Sequence, residues 1–269
     1  MVSMSLDSVS LSQRGERGVD GQREDLVQPS PWTLKVDEAF IIPISGERAD
    51  LQHVAKHLPT KEDKRDFMST GLGSVMIIRY ADSPVGPYDE ILFIPGAFVS
   101  PAKAPYNIWS DRRIPRIFVS TEESLRNGRR NWGIRKELAD FQFEYSKTES
   151  RSVRVKIHRR YGGECLLDAS FSRTWRFLPL ITCGVPDFLM PPIVERAIDE
   201  EGTPVAPEKW FRVFLQTCGM GGIARVDRIH ESPGEHFPDL RKLGIREGTR
   251  CLAAGGTMVF KKPQICARL

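Results

Sequence analysis

Cysteine and histidine are both scarce in this 269-residue sequence, five of each, and neither set has a spacing that fixes a structure or a metal. Cys165, Cys183, Cys218, Cys251 and Cys266 include no Cys-x-x-Cys pair. That argues against a zinc ribbon and a disulfide framework, and favours free thiols in a reducing compartment. No apolar run approaches the ~18 residues of a membrane-spanning helix. His-Glu-x-x-His, Gly-x-Ser-x-Gly, a Gly-rich loop ending in Lys-Ser/Thr and Gly-x-Gly-x-x-Gly between a strand and a helix are all missing. With them go the helix-borne zinc site, the serine nucleophile elbow, the P-loop and the dinucleotide fold. His53 and His57 lie four apart on a plausible helix, but nothing nearby completes a ligand set. Between His230-Glu231 and His236, Pro233 and Gly234 break the helix a zinc motif would need. Gly219-Met220-Gly221-Gly222 and Gly255-Gly256 read as tight turns between strands. The expectation is therefore no metal and no organic cofactor.

Charge of one sign is scarce too. There are 39 Lys+Arg against 35 Asp+Glu, a net +4, which is weak beside the concentrated basic patch of a nucleic-acid binder. Most of the excess lies between Arg112 and Arg160, in the pairs Arg112-Arg113, Arg129-Arg130 and Arg159-Arg160. These read as solvated strand faces and loop edges, and nucleic-acid binding would require them to cluster on one face. With 40% hydrophobic and 28% charged residues, the chain reads as a soluble, cytoplasmic globular protein with no membrane or nucleic-acid partner.

Residues 1–28 are rich in Ser, Gly, Gln and charge and read as a disordered tail; residues 29–269 read as one domain. Pro31–Val36, Phe40–Ile44, Val75–Tyr80, Asp89–Ile94 and Ile114–Ser120 are short, apolar, β-favouring segments. Phe141–Tyr145 and Ser152–Ile157 alternate with period two, and Leu166–Phe171, Trp210–Gln216, Ala224–Ile229 and Thr257–Phe260 extend the series. Asp50–Met68 is the first plausible helix, interrupted by Pro59. Thr121 is placed to cap a second, with Glu122 and Glu123 in its first turn and Gly128 as its stop. Many short strands and few helices predict an α+β fold built on a large, mostly antiparallel sheet or barrel.

Two segments carry candidate chemistry. Glu90 begins the apolar strand after Ser83-Pro84-Val85-Gly86-Pro87-Tyr88-Asp89, and a carboxylate pointing inward there needs a partner. Lys136 sits between Trp132-Gly133-Ile134 and Leu138-Ala139. Apolar surroundings disfavour the ammonium, and a neutral amine is what nucleophilic catalysis requires; the bland alternative is a surface lysine lying along apolar neighbours.

Ser83–Leu92 and Gly128–Phe141 together resemble the acetoacetate decarboxylase superfamily, and most closely its fungal and plant members. Those carry Ser-Pro-Val-Gly-Pro-Tyr-Asp/Asn-Glu-Leu-Leu and, about forty residues later, Gly-Arg-x-Asn-Trp-x-Ile-Pro-Lys-x-Leu-Ala-x-Phe. Pro31–Lys35 and Arg116–Ser120 are similar to the family as well. The resemblance implies a cone-like barrel around an apolar cavity, assembly as a homo-oligomer, and no cofactor. It implies a Schiff-base lysine at Lys136 and an orienting or protonating carboxylate at Glu90. The implied activity is a lyase that decarboxylates a β-keto acid, with a polyketide or other secondary-metabolite intermediate as a fitting substrate. Two alternatives stay open: an aldolase or dehydratase using the same lysine, and a degenerate member that only binds an apolar ligand.

The chain departs from the family pattern at several points. Arg135 replaces the proline and Glu137 the second lysine; Met76 falls where a second carboxylate is expected; no arginine lies among Leu34–Phe40. On a strand Glu137 would point away from Lys136. Acetoacetate itself is therefore a poor candidate for the substrate.

Overall fold

The computed structural model describes residues 27–71, 73–100, 110–146, 151–173, 178–181, 192–205 and 209–266. The predicted tail lies outside the described residues except for its last two, and Gln28 is tied down: its amide donates to Asn127 Oδ1 at 2.8 Å, and its carbonyl accepts from Trp32 Nε1.

Ten of the described strands build one sheet. In chain order the elements run β1 (Trp32–Pro43), α1 (Leu51–Lys56), α2 (Lys61–Asp66), β2 (Phe67–Ser69), β3 (Ser74–Asp82), β4 (Tyr88–Ile94), β5 (Ala97–Phe98) and β6 (Arg116–Val119). After α3 (Glu122–Trp132) come β7 (Lys136–Tyr145), β8 (Ser152–Arg159), β9 (Cys165–Arg173), β10 (Leu178–Ile181), β11 (Ile193–Arg196) and β12 (Trp210–Val213). The last are β13 (Leu215–Glu231), β14 (Arg250–Phe260) and β15 (Gln264–Cys266). The large sheet has the order β10-β13-β14-β1-β3-β4-β6-β7-β8-β9, and β13 also pairs with β9, so nine strands close into a barrel. Every pairing is antiparallel except β6 with β7. β11, β12 and β15 form a small second sheet, and β2 pairs with β5. This is the α+β, mostly antiparallel architecture that the strand-rich sequence predicts.

Alternation gives each strand two faces, and both are used. One apolar cluster draws side chains from all nine barrel strands, among them Phe40, Ile77, Phe93, Phe118, Val155, Phe171 and Val226, and so fills the barrel's interior. A second cluster lies on the opposite face of β1, β3, β4, β6 and β14, between the barrel wall and a cover made by α3, β11 and β12. Trp32, Trp132, Ile134 and Ile193 belong to it. The apolar cavity opens there, between wall and cover, and not inside the barrel as expected, because the first cluster fills the interior.

Three local expectations are corrected. The helix predicted over Asp50–Met68 is two short helices, because Pro59 cannot continue the first. Asp50 caps α1 and Thr60 caps α2, and Phe67–Ser69 is a strand. Gly128 does not stop α3; the helix runs on to Trp132 and ends at Gly133, whose φ of 69° only glycine adopts without strain. The glycines at 219–222 and 255–256 are not turns but lie within β13 and β14, where the two backbones approach closely.

The arginine-rich stretch is dispersed among acids. Arg113 is buried, bonded to Asp63 at 3.0 Å and Asp66 at 2.8 Å, and lies between the Phe98 and Trp210 rings. Arg130 pairs with Glu200, Arg159 with Glu137 and Arg160 with Asp140. No helix among the described residues is long and apolar enough to cross a membrane.

Candidate functional site

The two candidate residues come from strands that are not neighbours. β4 pairs with β6 through Glu90 and Val119, and β6 pairs with β7 through Ile117 and Lys136. Lys136 therefore stands two strands away from Glu90 on the same face, and its long stem spans the gap. Nζ donates to Glu90 Oε2 at 2.9 Å and to Ser124 Oγ at 3.0 Å. Both charged residues are buried, Lys136 at 4% and Glu90 at 2% exposure. A buried ion pair loses much hydration, so its presence in an apolar wall is weak evidence for stability.

Helix α3 shapes the site. Because β6 and β7 are parallel, the chain must cross over between them, and α3 is that crossover. Thr121 caps it by accepting from the Ser124 amide, which sets Ser124 in the first turn, facing Lys136. One turn further on, Gly128 lies against the lysine stem. A Cβ there would be 2.6 Å from Lys136 Cε and 2.7 Å from Cδ, so the bare helix surface is the channel in which the stem lies. Arg129 donates to the Lys136 carbonyl at 2.8 Å and to the Glu200 carbonyl at 2.6 Å, holding the start of β7 to the cover.

Two tyrosines complete the polar end. Tyr80 and Tyr88 pair across β3 and β4, with ring centroids 4.6 Å apart. The Tyr80 hydroxyl donates to Glu90 Oε1 at 3.4 Å, and the Tyr88 ring lies 5.2 Å from Lys136 Nζ. Burial, and then the Glu90 charge, hold both phenols well above their usual range. They stay neutral, able to donate hydrogen bonds but not to serve as bases. Beyond them the cavity is narrow, with apolar walls that include Trp32, Met76, Ile78, Trp132, Met258 and Phe260. The Trp32 and Trp132 rings meet edge to face at 5.0 Å.

The expected departures also find their places. Glu137 points to the other face of β7, towards Arg159 at 3.2 Å, so it does not meet the Lys136 amine. Met76 lines the cavity as an apolar wall. The histidines stay apart from the site: His53 accepts from the Asp239 amide at 3.0 Å, and His236 pairs with Glu164. Among the described residues no three His, Cys, Asp or Glu side chains lie together as metal ligands would. Ser124, Gly128, Tyr80 and Tyr88 are the residues that sequence reasoning missed. For the tyrosines a signal existed: Tyr80 and Tyr88 flank the turn of one hairpin, and Tyr88 shares the period-two face of Glu90.

Comparison with known proteins agrees with this geometry at the level of fold. An acetoacetate decarboxylase from Legionella pneumophila superposes with a TM-score of 0.60, covering 98% of each chain at 16% identity. The enduracididine biosynthesis enzyme MppR, solved with pyruvate, superposes with a TM-score of 0.57, covering 91% of this chain and 94% of its own at 12% identity. MppR has also been solved with the condensation product of pyruvate and imidazole 4-carboxaldehyde. No family model matches the chain. Protein NEOXANTHIN-DEFICIENT 1 of Oryza sativa subsp. japonica is 33% identical over 85 residues, 32% of this chain and a quarter of the rice protein's length. The chain thus has the acetoacetate decarboxylase-like fold, in accord with the resemblance read from Ser83–Leu92 and Gly128–Phe141.

Proposed function

We propose that the protein is a Schiff-base-forming lyase that decarboxylates a β-keto acid, with Lys136 as nucleophile and Glu90 as its proton partner. The observation that carries the reading is the 2.9 Å contact between Lys136 Nζ and Glu90 Oε2, buried at the end of an apolar cavity. As substrate enters, the Lys136 ammonium gives a proton to Glu90, which frees the Nζ lone pair. Nζ attacks the keto carbon, and the carbinolamine hydroxyl leaves as water with the proton returned by Glu90. The protonated imine then takes the electron pair of the breaking C–C bond as CO2 departs. The resulting enamine is protonated at carbon, and hydrolysis of the imine releases the ketone and restores the amine.

The rest of the site supports these steps. Ser124 and Tyr80 hold the amine and the carboxylate in register, so each proton moves along an existing hydrogen bond. The apolar walls keep bulk water from the imine before CO2 leaves. A small-molecule carbonyl substrate, assembly as a homo-oligomer and a cytoplasmic setting belong to the same reading. In a second reading the imine, instead of losing CO2, loses a proton from the neighbouring carbon to Glu90, and the enamine so formed attacks an aldehyde. It is favoured by Met76 standing where a second carboxylate is expected, and by the condensation product held by MppR.

Borohydride reduction in the presence of a panel of β-keto acids, followed by peptide mass spectrometry, tests the proposal. The expected result is a substrate adduct on Lys136, absent in Lys136→Ala, at least ~100-fold slower in Glu90→Gln, with CO2 released in step with turnover. An adduct without CO2 release in the presence of aldehydes selects the condensation reading. No adduct across the panel, with apolar ligands still binding, makes the protein a binder and overturns both.

A further inference from the structure

The cavity at Lys136 shares a wall with a second hollow. Met76, Ile78 and Met258 stand between the two, and the second hollow is apolar and more open. Strand register explains that hollow. Ile41 of β1 lies between Met76 of β3 and Leu252 of β14, and Ala39 lies between Ile78 and Ala254. On β13 and β14 Gly219 faces Gly256. Small residues thus run along the floor, with larger apolar ones beside them. A Cβ on Gly219 would lie 2.1 Å from the Gly255 carbonyl oxygen, so part of that floor can only be bare backbone.

This outward face of the barrel differs from the rest. On β7 and β8 the corresponding positions are charged, with Glu144 bonded to Lys156 at 2.7 Å and Arg154 turned to Asp168. An apolar trough on one part of a barrel wall marks a surface for an occupant, and the wall it shares with the Lys136 cavity indicates which. The partition consists of two methionines and one isoleucine, and methionine stems rearrange at little cost.

We propose that the hollow receives the hydrocarbon tail of the compound whose carbonyl meets Lys136, so that the substrate class is a long-chain 3-oxo acid. The proposal rests on the Schiff-base reading and deepens it. The polar head sits between Lys136 and Glu90, and the chain passes Met76 and Met258 to lie over Ala39, Ala254 and Gly256.

The test compares acetoacetate, 3-oxooctanoate and 3-oxododecanoate in borohydride trapping on the full chain, reading the half-saturating concentration for Lys136 modification. Each methylene buried fully is worth about a fourfold fall in that concentration, so a fall of at least ~10-fold from the shortest to the longest is expected. Ala254→Phe, which fills the floor, and Leu252→Gln, which makes its side polar, each shrink that ratio to less than ~3-fold. Displacement of a fluorescent long-chain fatty acid by dodecanoate is read in parallel, so that tail binding is measured even where no adduct forms. Trapping that is equal for all chain lengths overturns the tail site and leaves the Lys136 reading standing. Absence of adducts with displacement that remains sensitive to Ala254→Phe does the reverse. A change of oligomeric state in Ala254→Phe by light scattering makes the trough an interface between copies and overturns the proposal.

Discussion

Replacing Gly128 by alanine separates local helix physics from the site's demands, because the two predict opposite signs. In a helix interior alanine is favoured over glycine by about 1 kcal/mol, so an isolated α3 would gain from Gly128→Ala. In the folded protein the new methyl would lie 2.6 Å from Lys136 Cε, whereas carbon atoms in contact rest about 3.5–4.0 Å apart. The stem must therefore shift by about 1 Å. It cannot do so freely, since its tip is bonded to both Glu90 and Ser124 and Tyr88 lies beside it. Overpacking of this kind costs about 1–3 kcal/mol, which cancels or exceeds the helix gain. In a Lys136→Ala background the clash is gone, and the same substitution stabilises by about 1 kcal/mol. Urea unfolding of the four proteins reads the coupling as a double-mutant cycle, each Gly128→Ala effect taken against its own background. Borohydride trapping gives the functional counterpart: a displacement of about 1 Å at the reacting nitrogen slows adduct formation by about 100-fold. Stabilisation by Gly128→Ala in the wild-type background, with trapping unchanged, would refute the packing argument.

Two further outcomes are expected. Arg113→Ala leaves Asp63 and Asp66 without their shared cation and strips the contact between Phe98 and Trp210; urea unfolding should show a loss of about 3–5 kcal/mol. His57 is buried with its Nδ1 unbonded, and burial first, then the neighbouring His53 and Arg116, hold its pKa at about 4 against 6.5 for a free histidine. As pH falls below 6.5 the unfolded chain takes up a proton that the folded chain refuses until about 4, so stability present above 6.5 drains away across that window. His57→Leu should flatten the stability profile between those limits, and an unchanged slope would show that His57 is not its source.

How far the sequence reached depended on the range of the interaction involved. Strands were legible wherever alternation was strict, as in Ser152–Ile157, because the two faces meet different surroundings. Lys136 and Glu90 stand out in the sequence because each sits in a segment with recognisable neighbours. Their contact with Ser124 does not, since it depends on α3 being laid across the sheet. Gly128 was misread for the same reason. Glycine late in a helix ordinarily marks its end, and only the Lys136 stem from the following strand explains one inside. The glycines of β13 and β14 share that lesson, as their partners lie about 37 residues apart in sequence.

Nine strands in a ring impose a condition that concerns parity. Strand direction cannot alternate all the way around an odd-numbered closed sheet, so at least one neighbouring pair must run the same way. Here that pair is β6 with β7, and a chain can join parallel neighbours only by leaving the sheet and returning. The return path is α3, which carries Ser124 and Gly128, and the first residue after re-entry to the sheet is Lys136. The Lys136 amine therefore stands at the seam that the odd strand count makes unavoidable. An insertion that made the count even while keeping all neighbours antiparallel would remove the need for α3, and with it the groove in which the lysine lies.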